Sequence, residues 1–190
     1  MRLVTEVEKV ERTGVLYFAY GSNLSSEQMR ERCPLSTPIG LAYLPGWKWI
    51  INKRGYANIV QDKTDTTSGV FGVVYHMDPG DEESLDQCEG VPWAYERRFL
   101  DAVLVECADV LSGVKDLGEE EIALSGLKGN TRQIQALAYI DFQRVEPGRP
   151  MNEYIHRMNT GIKDAMEHWE LPEEYVKSVI RPFIPTKAEE

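Results

Sequence analysis

The sequence is poor in cysteine and histidine, in basic charge and in long apolar runs, and each shortage removes a class of function. Its three cysteines, Cys33, Cys88 and Cys107, are odd in number and show no CxxC spacing, so neither a disulfide framework nor a thiolate metal site is indicated. The three histidines, His76, His156 and His168, form no HExxH pair and read as surface or core filler, so no metal and no cofactor is expected. Basic residues number 21 against 31 acidic ones, a formal charge of −10, which opposes nucleic-acid and anionic-membrane partners. No stretch approaches the roughly 18 apolar residues that suggest a membrane span, and residues 1–14 lack a signal-peptide core. A cytoplasmic protein is expected, and a homodimer is left open.

What remains is a chain of 190 residues, the length of one domain at roughly 100–200 residues each. Residues 1–13 read as an extension. The run Val15-Leu16-Tyr17-Phe18-Ala19-Tyr20 predicts a strand buried on both faces. It stops at Gly21, and Ser25 or Ser26 can cap a helix that ends before Pro34. Trp47 to Ile51 and Ala57 to Gln61 read as two strands joined through Asn52-Lys53-Arg54-Gly55, and Gly69 to Met77 as a third. Asp78 can cap a helix with Pro79 in its first turn and Gly90 as its stop. Further strands are predicted over Arg97 to Cys107 and Gln135 to Phe142, with residues 108–133 between them as a long exposed hairpin loop. Ile155, Met158, Ile162, Met166 and Trp169 recur at helical spacing, and a second helix follows Leu171-Pro172 through Tyr175 and Val179. The class is α+β, with a mixed, largely antiparallel sheet flanked by a few helices.

Two places have the makings of chemistry. Tyr20-Gly21-Ser22-Asn23-Leu24 lies where a buried strand turns into a helix, so backbone N–H groups there can cradle a carboxylate or an oxyanion. The same pattern fits a plain turn. Glu89 falls on the last turn of a helix, at the negative end of its dipole, with Asp86 three residues earlier on nearly the same face. Both effects raise its pKa toward the range useful for moving protons near neutrality, although a solvated helix-end glutamate fits the local sequence as well. Cys88 beside it is disfavoured as a thiolate by the same dipole and reads as a buried structural cysteine.

Tyr17-Phe18-Ala19-Tyr20-Gly21-Ser22-Asn23-Leu24 resembles the YFAYGSNL signature of the γ-glutamylcyclotransferases. Gly72-Val73-Val74-Tyr75, followed by Leu85-Asp86-Gln87-Cys88-Glu89-Gly90-Val91, is similar to the family's GVV strand and LDxxEGV helix end. Leu171-Pro172-Glu173-Glu174-Tyr175 and Ala57-Asn58-Ile59 are weaker echoes, so the likeness runs from about residue 15 to 180. The resemblance implies a sheet curled into a small barrel, with a pocket between the YGSNL turn and the LDxxEG helix end. It also implies Glu89 as catalytic acid/base, Tyr20, Gly21, Ser22, Asn23, Leu24 and Ser25 at the glutamyl group, and Tyr95 and Tyr175 as supporting hydroxyls.

The implied activity is release of 5-oxoproline from a small-molecule γ-glutamyl substrate, without water or cofactor. A relative acting on γ-glutamylamines or glutathione S-conjugates is the nearest rival, with Trp47, Trp49, Trp93 and Tyr95 as an aromatic wall for a bulkier leaving group. A non-catalytic γ-glutamyl-binding protein is the rival from another class, and a carboxylic acid at position 89 argues against it. Asn23 is similar to the YGSNL branch rather than to the shorter turn of the glutathione-specific subgroup.

Overall fold

The elements run β1 (Val15–Ala19), α1 (Ser26–Arg32), β2 (Thr37–Pro45), β3 (Trp47–Ile51), β4 (Ala57–Gln61), β5 (Gly69–Met77) and α2 (Pro79–Glu89). They continue with β6 (Glu96–Glu106), β7 (Asn130–Ile140), α3 (Asn152–His168) and α4 (Glu173–Tyr175), which passes into a wider turn of helix, Val176–Ile180. This is a computed structural model and describes residues 14–65, 68–106 and 130–187. The expected extension over 1–13 and most of the expected loop over 108–133 lie outside the described residues. Residues 130–133 belong to β7 rather than to a loop.

Five strands close into a barrel in the order β1-β5-β2-β6-β7. Each pairing is antiparallel except the one that closes the ring, where β1 runs parallel to β7 with Tyr17 opposite Leu137. β1 is apolar along its length because it has a partner on each side, Tyr17 facing Tyr75 of β5 as well as Leu137. Phe18, Val73, Val74, Leu137 and Ala138 are all buried, each large aliphatic or aromatic side chain stabilising the fold by roughly 1.5–3 kcal/mol. β3 and β4 form a separate antiparallel arm, Trp49 opposite Ile59.

β2 has no counterpart among the sequence expectations. Pro38 and Pro45 bracket it, and the pairing with β5 shifts register between Pro38 and Gly40, so its sequence reads as connection although its middle is buried. Proline is tolerated there because it sits at the strand ends and at the irregularity.

The helices cover the barrel and hold its one functional end. α1 is capped by Ser25, whose Oγ accepts from the Gln28 N–H at 3.2 Å. α2 starts at Asp78, whose carboxylate accepts from the Gly80 N–H at 2.8 Å. It ends at Gly90, in the left-handed conformation with φ 64°, where glycine carries no Cβ penalty. α3 buries Tyr154, Ile155, Met158, Ile162 and Ala165 along one face; of the expected stripe, Ile155, Met158 and Ile162 are buried, Trp169 is partly buried against the core and Met166 is exposed. Among the described residues no helix is long and apolar enough to cross a membrane.

Candidate active site

The end of β1 and the start of α1 are joined by a single 3-10 turn, Ser22–Leu24. Its tightness is enforced by bonds from the Leu24 N–H to the Gly21 carbonyl (3.0 Å) and from the Ser25 N–H to the Ser22 carbonyl (3.1 Å). Gly21 leads into the turn at φ −109° and ψ −143°. What it needs is room. A Cβ on Gly21 would stand 2.8 Å from the Tyr154 hydroxyl and 3.2 Å from the Ala57 Cβ.

Facing this turn is the end of α2. The two meet in a cavity of about 250 Å³ whose wall includes Tyr20, Gly21, Ser22, Asn23, Glu89 and Tyr95. The Glu89 side chain is 17 % exposed, and its Oε1 accepts from Asn23 Nδ2 at 3.2 Å and lies 3.5 Å from an Arg32 guanidinium nitrogen. Burial pushes the Glu89 carboxyl above its ordinary range, and Arg32, Asn23, Arg157 and Arg54 pull it partly back. Asp86 has no share in this, contrary to the sequence expectation. It is held by Arg97 at 3.1 Å and accepts the Tyr139 hydroxyl at 2.7 Å.

Asn23 is the joint between the two elements. Its Oδ1 accepts from Gln28 Nε2 (2.6 Å) and Arg32 (3.0 Å), and its Nδ2 donates to the Tyr17 hydroxyl (2.9 Å) as well as to Glu89. With both ends satisfied the carboxamide has a single orientation, which fixes where Glu89 points.

The amide cradle read from the sequence is narrower in the fold. The Ser22 N–H donates to the Tyr154 hydroxyl at 3.2 Å, the Ser26 N–H to Asp164, and those of Leu24 and Ser25 close the turn itself. The N–H groups of Gly21 and Asn23 are the ones with no partner among the described residues.

Of the residues expected at a glutamyl group, Tyr20, Gly21, Ser22, Asn23 and Tyr95 line the cavity with Glu89. Tyr95 is anchored by donating to the Ala57 carbonyl at 2.8 Å. Leu24 and Ser25 do not line it: Leu24 is buried in the core and Ser25 caps α1. Tyr175 is also elsewhere, its ring packed edge-on against Phe71 at 5.0 Å, because the short helix after Leu171-Pro172 lies against β5 and not at the cavity mouth. Of the expected aromatic wall, Tyr95 lines the cavity and the three tryptophans do not. Trp49 is buried, donating to the Tyr20 carbonyl at 2.9 Å, Trp47 is packed against the core, and Trp93 is 83 % exposed. Cys88 is exposed rather than buried, and it lines the cavity beside Glu89. Cys33 is the buried one, its thiol pushed up to about 12 by desolvation.

The sequence reading missed Arg32, Arg54 and Arg157, which add positive charge to the cavity wall, and the hydroxyl-bearing rings of Tyr17, Tyr139 and Tyr154. They come from β1, α1, the β3–β4 connection, β7 and α3, and only Tyr17 and Arg32, on the two elements that flank the turn, were close enough to suspect. Among the described residues no group of three or more His, Cys, Asp or Glu could hold a metal ion.

The sequence matches a family described as gamma-glutamyl cyclotransferase, AIG2-like, over residues 17–113. A solved gamma-glutamyl cyclotransferase is 26 % identical, with 87 % of this chain and 88 % of that one covered at a TM-score of 0.62. An uncharacterized protein from Homo sapiens matches with the same figures. YkqA from Bacillus subtilis shares the fold at a TM-score of 0.62 and 17 % identity, over 93 % of this chain and 56 % of that one. None of the curated proteins matches the sequence. The matched segment contains the last part of β1, the turn and Glu89 together, and the chain belongs to the AIG2-like gamma-glutamyl cyclotransferase family.

Proposed function

We propose that the protein releases 5-oxoproline from γ-glutamyl amino acids or peptides, with Glu89 as the residue that moves the protons. The observation that carries this reading is the Glu89 carboxyl, mostly buried, fixed by Asn23 and facing the 3-10 turn across a cavity of substrate size.

In such a substrate the α-nitrogen folds back on the γ-carbonyl carbon, a new C–N bond closes a five-membered lactam, and the old amide C–N bond breaks. The α-ammonium must first lose a proton, which the Glu89 carboxylate accepts. The nitrogen then attacks, and the carbonyl oxygen becomes an oxyanion within reach of the unpartnered Gly21 and Asn23 N–H groups. Collapse expels the second nitrogen, which takes the proton from Glu89. The α-nitrogen gives up two protons in all and the departing nitrogen gains two, so a carboxylate that relays them in turn ends unchanged. A carboxyl pushed above its ordinary range suits this traffic, since its proton affinity comes closer to that of the groups it serves. Holding the folded-back conformer is the cavity's other task.

Glu89→Gln tests the role, because the amide keeps the shape and the Asn23 contact side while losing proton transfer. Turnover of γ-glutamylalanine, followed by 5-oxoproline release, should fall by about 10²–10⁴ with affinity largely kept. Near-native release by the variant would refute the assignment.

A further inference from the structure

The three arginines of the cavity wall are not equivalent. Arg32 donates to Asn23 and pairs with Glu89. Arg157 donates to Ser22 Oγ at 2.8 Å and Gln28 Oε1 at 3.0 Å, and pairs with Glu153. Arg54, in the connection between β3 and β4, has a buried Nη1 with no hydrogen-bond partner among the described residues. A buried charged donor left unmatched costs roughly 1–3 kcal/mol or more, and native proteins keep few of them. Arg54 lines the cavity, and an unmatched donor on such a residue is accounted for when a ligand supplies the acceptor.

The rest of Arg54 is built to hold that donor in place. The guanidinium lies over the rings of Tyr56 and Tyr95, its carbon 5.5 and 5.4 Å from their centroids, a distance at which the ring faces attract a cation. Its backbone N–H donates to Asn52 Oδ1 at 3.0 Å, and the Tyr56 N–H reaches the same oxygen at 3.4 Å. Asn52 is fixed in turn by donating to Asp141 Oδ2 at 3.0 Å, and Asp141 is a buried carboxylate that Arg144 also holds at 2.9 Å. The connection is thus a braced loop that places a guanidinium at the cavity wall, with Nη1 lacking a hydrogen-bond partner among the described residues.

The planar fork of a guanidinium matches the two oxygens of a carboxylate. We infer that Arg54 is the carboxylate-recognising residue of this pocket, its guanidinium supplying the charged partner for a substrate carboxylate beside Tyr56 and Tyr95. The inference rests on the cyclotransferase reading for the nature of the substrate. Two carboxylates qualify: the α-carboxylate of the glutamyl group, and the one on the leaving group when that is an amino acid.

Calorimetric titration separates them without needing turnover. The Glu89→Gln protein, with and without Arg54→Gln, is titrated with γ-glutamylalanine and with γ-glutamylethylamine, which lacks the second carboxylate. Arg54→Gln should weaken γ-glutamylalanine by about ten- to a hundredfold, the usual range for losing a hydrogen bond to a charged group. An equal loss with γ-glutamylethylamine assigns Arg54 to the α-carboxylate, and an unchanged affinity there assigns it to the leaving group. Unchanged affinity for both compounds, or no binding of either when Arg54 is intact, overturns the inference. Should Arg54→Gln melt early, Arg54→Met, which keeps the stem between the two rings, gives the same comparison. Failure of the cyclotransferase reading would show separately, as absent 5-oxoproline release by the unaltered protein.

Discussion

Two parts of the cavity wall differ in construction. In one, the 3-10 turn after β1 spends nearly all its hydrogen-bonding groups on itself and its neighbours, leaving the Gly21 and Asn23 amides. In the other, the β3–β4 connection is braced by Asn52 and Asp141 and offers an unmatched guanidinium nitrogen. The first wall can meet developing charge with fixed dipoles, and the second can meet a full negative charge. Their division of labour separates stabilising the reaction from recognising the substrate.

The largest expected break in this arrangement is Gly21→Val. A side chain there is driven toward the buried Tyr154 hydroxyl and the Ala57 Cβ, which belongs to the β3–β4 arm, so both walls must separate. Overpacking of this kind costs about 1–3 kcal/mol, visible in denaturant unfolding, and affinity for γ-glutamylalanine should drop more than tenfold. A variant that unfolds and binds like the parent would show that the walls are not in register.

Asn52→Ala should do less, and to one wall alone. It removes the acceptor of two loop N–H groups and a donor to buried Asp141, a loss of about 1–3 kcal/mol in stability. Binding should suffer for carboxylate-bearing compounds while Glu89-dependent proton transfer, read as kcat at saturation, stays close to normal. An equal fall in kcat would mean the arms are not separable.

The smallest effect expected is on pH dependence. Arg32 is the chief charge lowering a Glu89 carboxyl that burial has raised. Arg32→Gln therefore raises it further, and since the ionised carboxylate starts the reaction, the acid limb of the kcat/KM profile moves to higher pH. Arg54→Gln should move that limb less, because Arg54 is the last and weakest of the influences on Glu89. Coincident shifts would erase the distinction between the two walls.

The same division explains what could be read in the sequence. The turn wall is continuous in the chain, running from a buried strand through Gly21 to a capped helix, and β1, α1 and the Glu89 end of α2 all lie where local signals put them. β3, β4 and β5 also match, because tryptophan, valine and isoleucine mark them. β2 escaped since its prolines speak for a connection and only its partners β5 and β6 make it a strand. The hairpin was legible but its place at the cavity was not: nothing near Arg54 says that Asp141, about 90 residues on, will brace its loop. Tyr175 shows the converse error, a residue in a recognisable stretch whose helix docks away from the cavity.

The contact between α3 and the 3-10 turn sets an order of events in the life of the chain. Gly161 lies so close to the turn that a Cβ there would come within 3.1 Å of the Ser25 nitrogen and the Leu24 Cβ, and Tyr154 and Arg157 of the same helix supply hydroxyl and guanidinium to Ser22. A nascent protein emerging from the ribosome therefore carries this turn and Glu89 long before it carries the helix that shapes them. The cavity is completed late, with residues 152–168, and a nascent chain stalled short of them would hold the Glu89 carboxyl without the wall that α3 supplies.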